Sequence, residues 1–143
     1  MNLLSTFART LVLALLFSSS QTFAEAETVP ESIAGTTRVT AEQVIDLLDE
    51  YDDLVIIDSR KPSDRSKGFI EDSIALPDFD TTAETLAKHI PTKDAAVVFY
   101  CNGEKCGRSV KASKIAVKEG YTTVFWFRGG WGEWTEKGYP VAK

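Results

Sequence analysis

Both cysteines of this chain, Cys101 and Cys106, lie within the stretch "VVFYCNGEKCGRSVKAS". Cys101 directly follows a run of apolar and aromatic residues, whereas Cys106 stands among glycines and charged side chains. A thiol that served only packing would be expected inside the apolar run. A structural disulfide stabilises most when it closes a long loop, and this spacing closes a short one. We therefore interpret Cys101 as a nucleophile set in a cradle of backbone N–H groups.

The surroundings of Cys101 predict how its thiol would be activated. Gly103 and Gly107 are free to adopt backbone angles closed to other residues, which would let successive amide groups point inward. Such a concave arrangement beside a helix N-terminus favours negative charge and lowers the pKa of a cysteine placed there. We therefore expect Cys101 to be held as a thiolate without a separate base. The only histidine, His89, falls near the end of a predicted helix, which disfavours a Cys–His pair.

Helical and apolar patterns alternate along the chain from Thr40 onward. Thr40 with Gln43, and Thr81 with Glu84, form capping-box signatures at two predicted helix starts. Gly120 is the expected residue just beyond the end of the helix that follows the cysteines. The predicted helices cover 40–51, 81–90, 109–120 and 129–138, and the predicted strands cover 54–58, 73–77, 95–100 and 123–127.

This alternation predicts an α/β domain with an open, mostly parallel sheet flanked by helices on both faces. In such sheets ligands bind at the carboxyl ends of the strands. Three conspicuous features follow strands in the sequence: Asp58, Cys101 and the segment 128–130. We expect them to meet at one edge of the sheet.

The first residues are typical of a secretory signal peptide rather than of the domain. Arg9 precedes the apolar run "LVLALLF", and small and polar residues lead to the first acid, Glu25. The run is too short to span a bilayer well. We predict a signal peptide over 1–24, a flexible lead-in over 25–36 and a single domain over 37–143. This predicts a periplasmic or secreted protein without stable membrane insertion after cleavage.

Composition excludes several functional classes. The formal net charge is −5, whereas nucleic-acid binding requires a clustered basic face. We find no metal-ligand spacing of Cys, His and carboxylates and no glycine-rich nucleotide loop. The sequence therefore predicts no metal, no cofactor and no nucleic-acid partner.

Four fragments, in this order, carry a resemblance to a known family: "VIIDSR", "KGFIEDSIALP", "VVFYCNGEKCGRS" and "FRGGWGEW". Over about Thr37 to Val141 the chain resembles a single-domain rhodanese in an exported form. The resemblance implies a rhodanese-like α/β fold and a sulfurtransferase whose loop cysteine takes up sulfane sulfur as a persulfide. It implies a small anionic donor such as thiosulfate and a thiol or cyanide acceptor. A periplasmic redox or sulfur-relay protein is a further candidate partner.

Carried over by position, the resemblance makes Cys101 the sulfur-bearing nucleophile. Asp58 and Arg60 match the family's Asp-x-Arg and would brace the site. The predicted substrate-binding residues are those of the loop and the first helical position after it: Asn102, Gly103, Glu104, Lys105, Cys106, Gly107 and Arg108.

The loop departs from the common sulfurtransferase pattern, which has an arginine or similar residue about five positions after the cysteine. Here Cys106 occupies that position, and Arg108 is the first arginine. The sequence leaves three roles open for Cys106: a resolving thiol that closes a disulfide with Cys101, a structural or permanently oxidised partner, and a bystander. Two other functions stay open with them, an oxyanion-handling enzyme like a cysteine phosphatase or arsenate reductase, and a non-catalytic sulfur carrier or redox module.

Overall fold

A computed structural model describes residues 28–143. Its strands are β1 Thr36–Val39, β2 Val55–Asp58, β3 Phe69–Ile70, β4 Ile74–Ala75, β5 Val97–Tyr100, β6 Val124–Phe127 and β7 Val141–Ala142. Its helices are α1 Ala41–Glu50, α2 Pro62–Arg65, α3 Ala83–His89, α4 Arg108–Lys118 and α5 Gly130–Glu136, with a 3₁₀ turn at Asp78–Asp80.

The main sheet has five parallel strands in the order β1-β6-β5-β2-β4. Asp58 at the end of β2 is opposite Tyr100 at the end of β5, which is opposite Phe127 at the end of β6. The segments that follow these strands therefore emerge at the same edge. A small antiparallel pair, β3 with β7, lies apart from this sheet.

Helices cover both faces of the main sheet. Leu86 of α3 and Ala112 of α4 pack in one buried cluster with Phe99. Val44 of α1 and Trp134 of α5 belong to a second cluster. Because β2, β5 and β6 alternate side chains between these clusters, the central strands are apolar on both faces. The predicted α/β architecture is confirmed.

The helix boundaries follow local capping chemistry. Thr40 and Gln43 form the predicted capping box, and Gly120 follows the end of α4 with a φ of 89°. The capping box predicted for Thr81 with Glu84 is wrong. Thr82 caps α3 with Thr85, because the Thr81 hydroxyl donates instead to the carbonyl of Pro77 at 3.1 Å and closes the preceding turn.

The N-terminal part of the described chain differs from the prediction. Residues 36–39 form β1, and within the predicted flexible lead-in 25–36, Ile33 is buried in a cluster with Val110 and Trp126. Apolar burial therefore holds this segment on the domain. The predicted signal peptide over 1–24 lies outside the described residues. No helix within residues 28–143 is long and apolar enough to cross a membrane.

Candidate active site

Cys101 lies immediately beyond β5, at the carboxyl edge of the sheet, and is only 2% exposed. Its sulfur is 3.1 Å from the carbonyl oxygen of Cys106 and 3.2 Å from the Ser109 hydroxyl. Trp126 Nε1 donates to that hydroxyl at 3.0 Å. The Cys101 thiol therefore donates toward Cys106, which leaves the Ser109 hydroxyl to donate to the Cys101 sulfur. The apolar strand β5 thus places the Cys101 thiol beside polar groups.

Cys106 lies on the outer side of the same loop. Its amide donates to the carbonyl of Gly103 at 3.0 Å, and this turn brings residue 106 back toward residue 101. Both cysteines are free thiols, Cys101 buried and Cys106 half-buried. An open depression of about 400 Å³ is lined by Asn102, Gly103, Glu104, Lys105 and Cys106. Cys106, and not Cys101, therefore faces the depression.

The two thiols do not ionise alike. Hydrogen bonding to Cys106, and then burial, raise the pKa of Cys101 well above its ordinary value. Hydrogen bonding from Cys101 lowers the pKa of Cys106 to about 6; burial opposes the shift, and the backbone amides of Arg108 and Asn102 add to it. The prediction that Cys101 rests as the thiolate is therefore wrong. The amides of Asn102 and Arg108 face Cys106 while that of Ser109 faces Cys101, and a carbonyl acceptor stabilises the protonated form of Cys101.

The glycines of the loop are not the ones that need special backbone geometry. Neither Gly103 nor Gly107 has a positive φ, contrary to expectation, and a Cβ on Gly107 would meet nothing within 4 Å. Gly130 has a φ of 54°, and a Cβ there would lie 2.2 Å from the carbonyl oxygen of Cys101. The close approach that requires glycine is thus between two loops.

The segment after β6 also ties down the main chain around Cys101. The Trp131 amide donates to the Cys101 carbonyl at 2.8 Å, and the Gly132 amide donates to the Asn102 carbonyl at 2.9 Å. These bonds satisfy two carbonyls at the strand end that the sheet leaves unpaired. They fix where the Cys101 thiol points.

The charged residues of the loop have different surroundings. Arg108 forms an ion pair with Asp78, and Lys111 approaches the same carboxylate at 3.4 Å. Glu104 pairs with Arg128 at 3.1 Å. Lys105 is exposed and has no ion pair within residues 28–143. Arg108 is therefore held in place by an ion pair, whereas Lys105 is not held in one within the described residues.

Asp58 and Arg60 lie in a buried ionic network beside the loop. Arg60 binds the Asp58 carboxylate through Nε at 3.0 Å and Nη2 at 2.8 Å, and Arg65 binds it at 2.9 Å. The Tyr100 hydroxyl donates to the same carboxylate at 2.7 Å. Burial would raise the pKa of Asp58, but the hydrogen bonds from Arg60 and Tyr100 outweigh it and hold the pKa below its ordinary value.

This network reaches the cysteine loop through an aromatic ring. The Arg60 guanidinium lies 4.6 Å from the centre of the Trp131 ring, and the Trp131 amide binds the Cys101 carbonyl. The stacking couples a cation to the π-face. Asp58 and Arg60 therefore contact the scaffold of the site and not the thiols.

Sequence reasoning missed several residues of the site. Ser109 and Asp78 gave no signal, because a single serine or aspartate is common in any loop. Gly130 was noticed only as part of the 128–130 segment. Tyr100 and Arg65 join the network from segments distant in sequence, which no local pattern predicts. The described residues contain no group of three or more His, Cys, Asp or Glu side chains that would hold a metal ion.

Comparison with known proteins adds independent information. Residues 40–137 match the family described as the rhodanese-like domain. A sulfurtransferase of Allochromatium vinosum is 30% identical over 103 residues, covering 72% of this chain and 92% of the relative. A rhodanese domain-containing protein of Drosophila melanogaster is 30% identical over 109 residues, covering 68% of this chain and 96% of the relative.

Solved structures agree on the fold. The thiosulfate sulfurtransferase of Pseudomonas aeruginosa superposes with a TM-score of 0.64 at 23% identity, covering 75% of this chain and 20% of that one. The polysulfide-sulfur transferase of Wolinella succinogenes gives 0.62 at 24% identity, covering 76% and 80%. At these identities the likeness concerns the architecture alone.

Proposed function

This chain belongs to the rhodanese-like sulfurtransferase family, and from that premise we propose that Cys101 carries sulfane sulfur as a persulfide. The observation that supports the proposal most is the position of the thiol. Cys101 lies at the carboxyl edge of a parallel sheet, in contact with a second thiol and with hydroxyl and amide donors from Ser109. An enzyme that accepts sulfur on cysteine requires such a nucleophile.

The first half-reaction transfers sulfur to the enzyme. As Cys101 attacks the outer sulfur of a donor such as thiosulfate, its proton passes to the neighbouring Cys106 thiolate, which the lowered pKa of Cys106 makes available. The sulfur–sulfur bond of the donor breaks, and sulfite leaves with the electron pair. Ser109 donates to the sulfur that becomes negative. The second half-reaction is attack by cyanide or a thiol on the outer sulfur, which returns Cys101 as the leaving thiolate.

Charge around the loop suits an anionic donor. Lys105 is exposed on the rim of the depression, and Arg108 lies close enough to both cysteines for their charges to raise its pKa further than Asp78 alone does. The net charge of the protein is negative, so attraction of an anion has to be local. Residues 102–108 would therefore bind the donor, with Lys105 as the exposed cation.

The decisive experiment is a thiocyanate assay with thiosulfate and cyanide. Cys101→Ser is expected to abolish thiocyanate formation, because its hydroxyl cannot carry a persulfide. Lys88→Ala on α3, whose side chain lies in an exposed pair with Glu84, serves as the control and should retain the wild-type rate. Thiocyanate formation by Cys101→Ser would overturn the proposal. So would Cys101-dependent hydrolysis of an aryl phosphate or reduction of arsenate without sulfur transfer.

The proposal includes export to the periplasm or medium, supported by the sequence of residues 1–24. A periplasmic redox or sulfur-relay protein would then supply or receive sulfur. N-terminal sequencing of the protein purified from the periplasm or the medium is expected to show a chain that begins at Glu25. A cytoplasmic protein that begins at Met1 would contradict the proposed location but not the proposed reaction.

A further inference from the structure

Cys106 is not accounted for by a mechanism that needs one sulfur carrier. We propose that Cys106 resolves the Cys101 persulfide by attacking its inner sulfur, which releases hydrosulfide and closes a Cys101–Cys106 disulfide that a dithiol then reduces. This inference rests on the proposed function and names its acceptor class. The protein would take two electrons from a dithiol, a second substrate, for each sulfur atom it releases.

Relative exposure assigns the two thiols different tasks. Cys101 is 2% exposed and does not line the depression, whereas Cys106 is half-buried and lines it. A bulky acceptor thiol that enters the depression therefore meets residue 106 first. A disulfide opened from that side would leave Cys101 as the buried leaving group. The arrangement suits a dithiol reductant that never reaches the inner sulfur itself.

Contact geometry favours attack on the inner sulfur. The atom of residue 101 that lies 3.1 Å from the Cys106 carbonyl is Sγ itself, so the two cysteine residues are in direct contact at this atom. Sγ becomes the inner sulfur once a persulfide forms, and the added sulfur extends beyond it. Disulfide closure requires Cα atoms within about 7 Å. The turn closed by the hydrogen bond from the Cys106 amide to the Gly103 carbonyl brings residue 106 back toward residue 101, as disulfide closure requires.

The electrostatic surroundings prepare Cys106 as the attacking group. Hydrogen bonding from Cys101, with the amides of Arg108 and Asn102, lowers the pKa of Cys106 to about 6 although burial opposes the shift. Thiolates attack disulfide-like sulfur, and a thiol whose pKa is near the ambient pH combines ionisation with nucleophilicity. The hydrogen bond to Asp78 and then the charges of both cysteines raise the pKa of Arg108, so its guanidinium group lies near the two sulfurs and would stabilise the departing hydrosulfide.

The step balances without an added oxidant. Cys106 first passes the proton that it took from Cys101 to the outer sulfur of the persulfide and so becomes a thiolate. The Cys106 thiolate then supplies the electron pair of the new sulfur–sulfur bond, and the bond between Cys101 and the sulfane sulfur breaks. Its electron pair leaves with hydrosulfide, so the sulfane sulfur is reduced while the two cysteine sulfurs are oxidised. The dithiol then returns two electrons, regenerates Cys101 and Cys106, and becomes a disulfide.

A single-turnover experiment tests this step. Full-length mature protein is reduced, freed of reductant and incubated with thiosulfate; hydrosulfide is assayed and intact mass is measured. The wild type is expected to release one hydrosulfide per chain and to lose two hydrogens. Cys106→Ser is expected to gain the mass of one sulfur atom and to release no hydrosulfide until a thiol is added.

The outcomes separate this inference from the proposed function. A wild type that keeps a stable persulfide, as Cys106→Ser does, overturns the resolving role and leaves the sulfurtransferase intact. Sulfur mapped to residue 106 likewise overturns it, since that result means attack on the outer sulfur. If neither the wild type nor Cys106→Ser gains sulfur or releases hydrosulfide with thiosulfate or polysulfide, the proposed function fails, and the inference fails with it.

Discussion

Two buried polar clusters lie side by side at the carboxyl edge of the sheet, one after β2 and one after β5. The Asp58 carboxylate is 0% exposed and receives hydrogen bonds from Arg60, Arg65 and Tyr100. The Cys101 thiol is 2% exposed, and its hydrogen-bond partners are Cys106 and Ser109. Burial is almost the same, so it does not distinguish the two clusters.

The difference lies in how completely charge is neutralised. Around Asp58, two guanidinium groups surround one carboxylate. Hydrogen bonds from Arg60 and Tyr100 lower the pKa of Asp58 by more than burial raises it, so the carboxylate stays ionised at neutral pH. At the cysteines, one negative charge is shared by two sulfurs whose affinities for a proton differ strongly. A saturated network stabilises and positions, whereas an unevenly shared proton leaves a nucleophile ready to form. The following substitutions test this difference between the Asp58 cluster and the cysteine cluster.

The largest effect is expected from removing the centre of the saturated network. Asp58→Ala leaves Arg60 buried and unpaired, which costs about 3 to 5 kcal/mol of unfolding free energy. Urea unfolding measures the loss. Glu84→Ala removes one partner of the exposed pair with Lys88 and should change stability by less than about 0.5 kcal/mol. Equal losses in the two variants would show that burial of the network is energetically unimportant.

The next effect concerns the contact between loops. Gly130→Ala places a Cβ against the Cys101 carbonyl at a φ of 54°, so strain and overpacking should cost on the order of 3 kcal/mol. Sulfur uptake from thiosulfate should fall in parallel, because the Cys101 main chain must shift. Gly107→Ala is the matched control for the loss of stability, since that Cβ meets nothing within 4 Å. An equally stable and active Gly130→Ala would refute the described geometry.

A smaller effect is expected from two serines of α4. Ser109→Ala leaves Trp126 Nε1 without its acceptor and removes a donor to Cys101, with an expected loss of about 1 to 2 kcal/mol and slower sulfur uptake. Ser113 is also buried, but its hydroxyl has no partner within the described chain. Ser113→Ala should therefore be neutral or stabilising. Thermal unfolding and the thiocyanate assay measure both; the opposite ranking would contradict the assigned bonds.

The smallest expected effect is a shift in titration. The rate at which iodoacetamide alkylates Cys106 should rise with pH and reach half its maximum at about pH 6, because only the thiolate reacts. Cys101→Ala removes the donor that does most to lower this pKa, so the midpoint should move upward. Alkylation resolved by residue in mass spectra reports it. A midpoint that stays in place would mean that the sulfurs do not share a proton.

Much of the architecture was predictable because it depends on local patterns. The apolar strands β2, β5 and β6 and the amphipathic helices have clear periodicity, and Cys101 was predicted at its observed place. β1 was missed because its residues are largely polar and its short edge position requires little apolar pattern.

The charge state of the cysteines could not be read in this way. It depends on which sulfur the amides of Asn102 and Arg108 face, and that is decided by the turn and by α4 together. The partners of Asp58 are likewise supplied by segments far apart in the chain. Sequence patterns locate such residues at strand ends, but only the folded chain decides their partners.

The central claim is that Cys101 carries the sulfur, and peptide mapping of the Cys106→Ser protein after thiosulfate treatment tests it most directly. The account predicts one added sulfur atom on the peptide that contains residue 101, lost as thiocyanate when cyanide is added. An unmodified residue 101 after treatment with both thiosulfate and polysulfide, together with a wild type that gains no sulfur and releases no hydrosulfide, would contradict it.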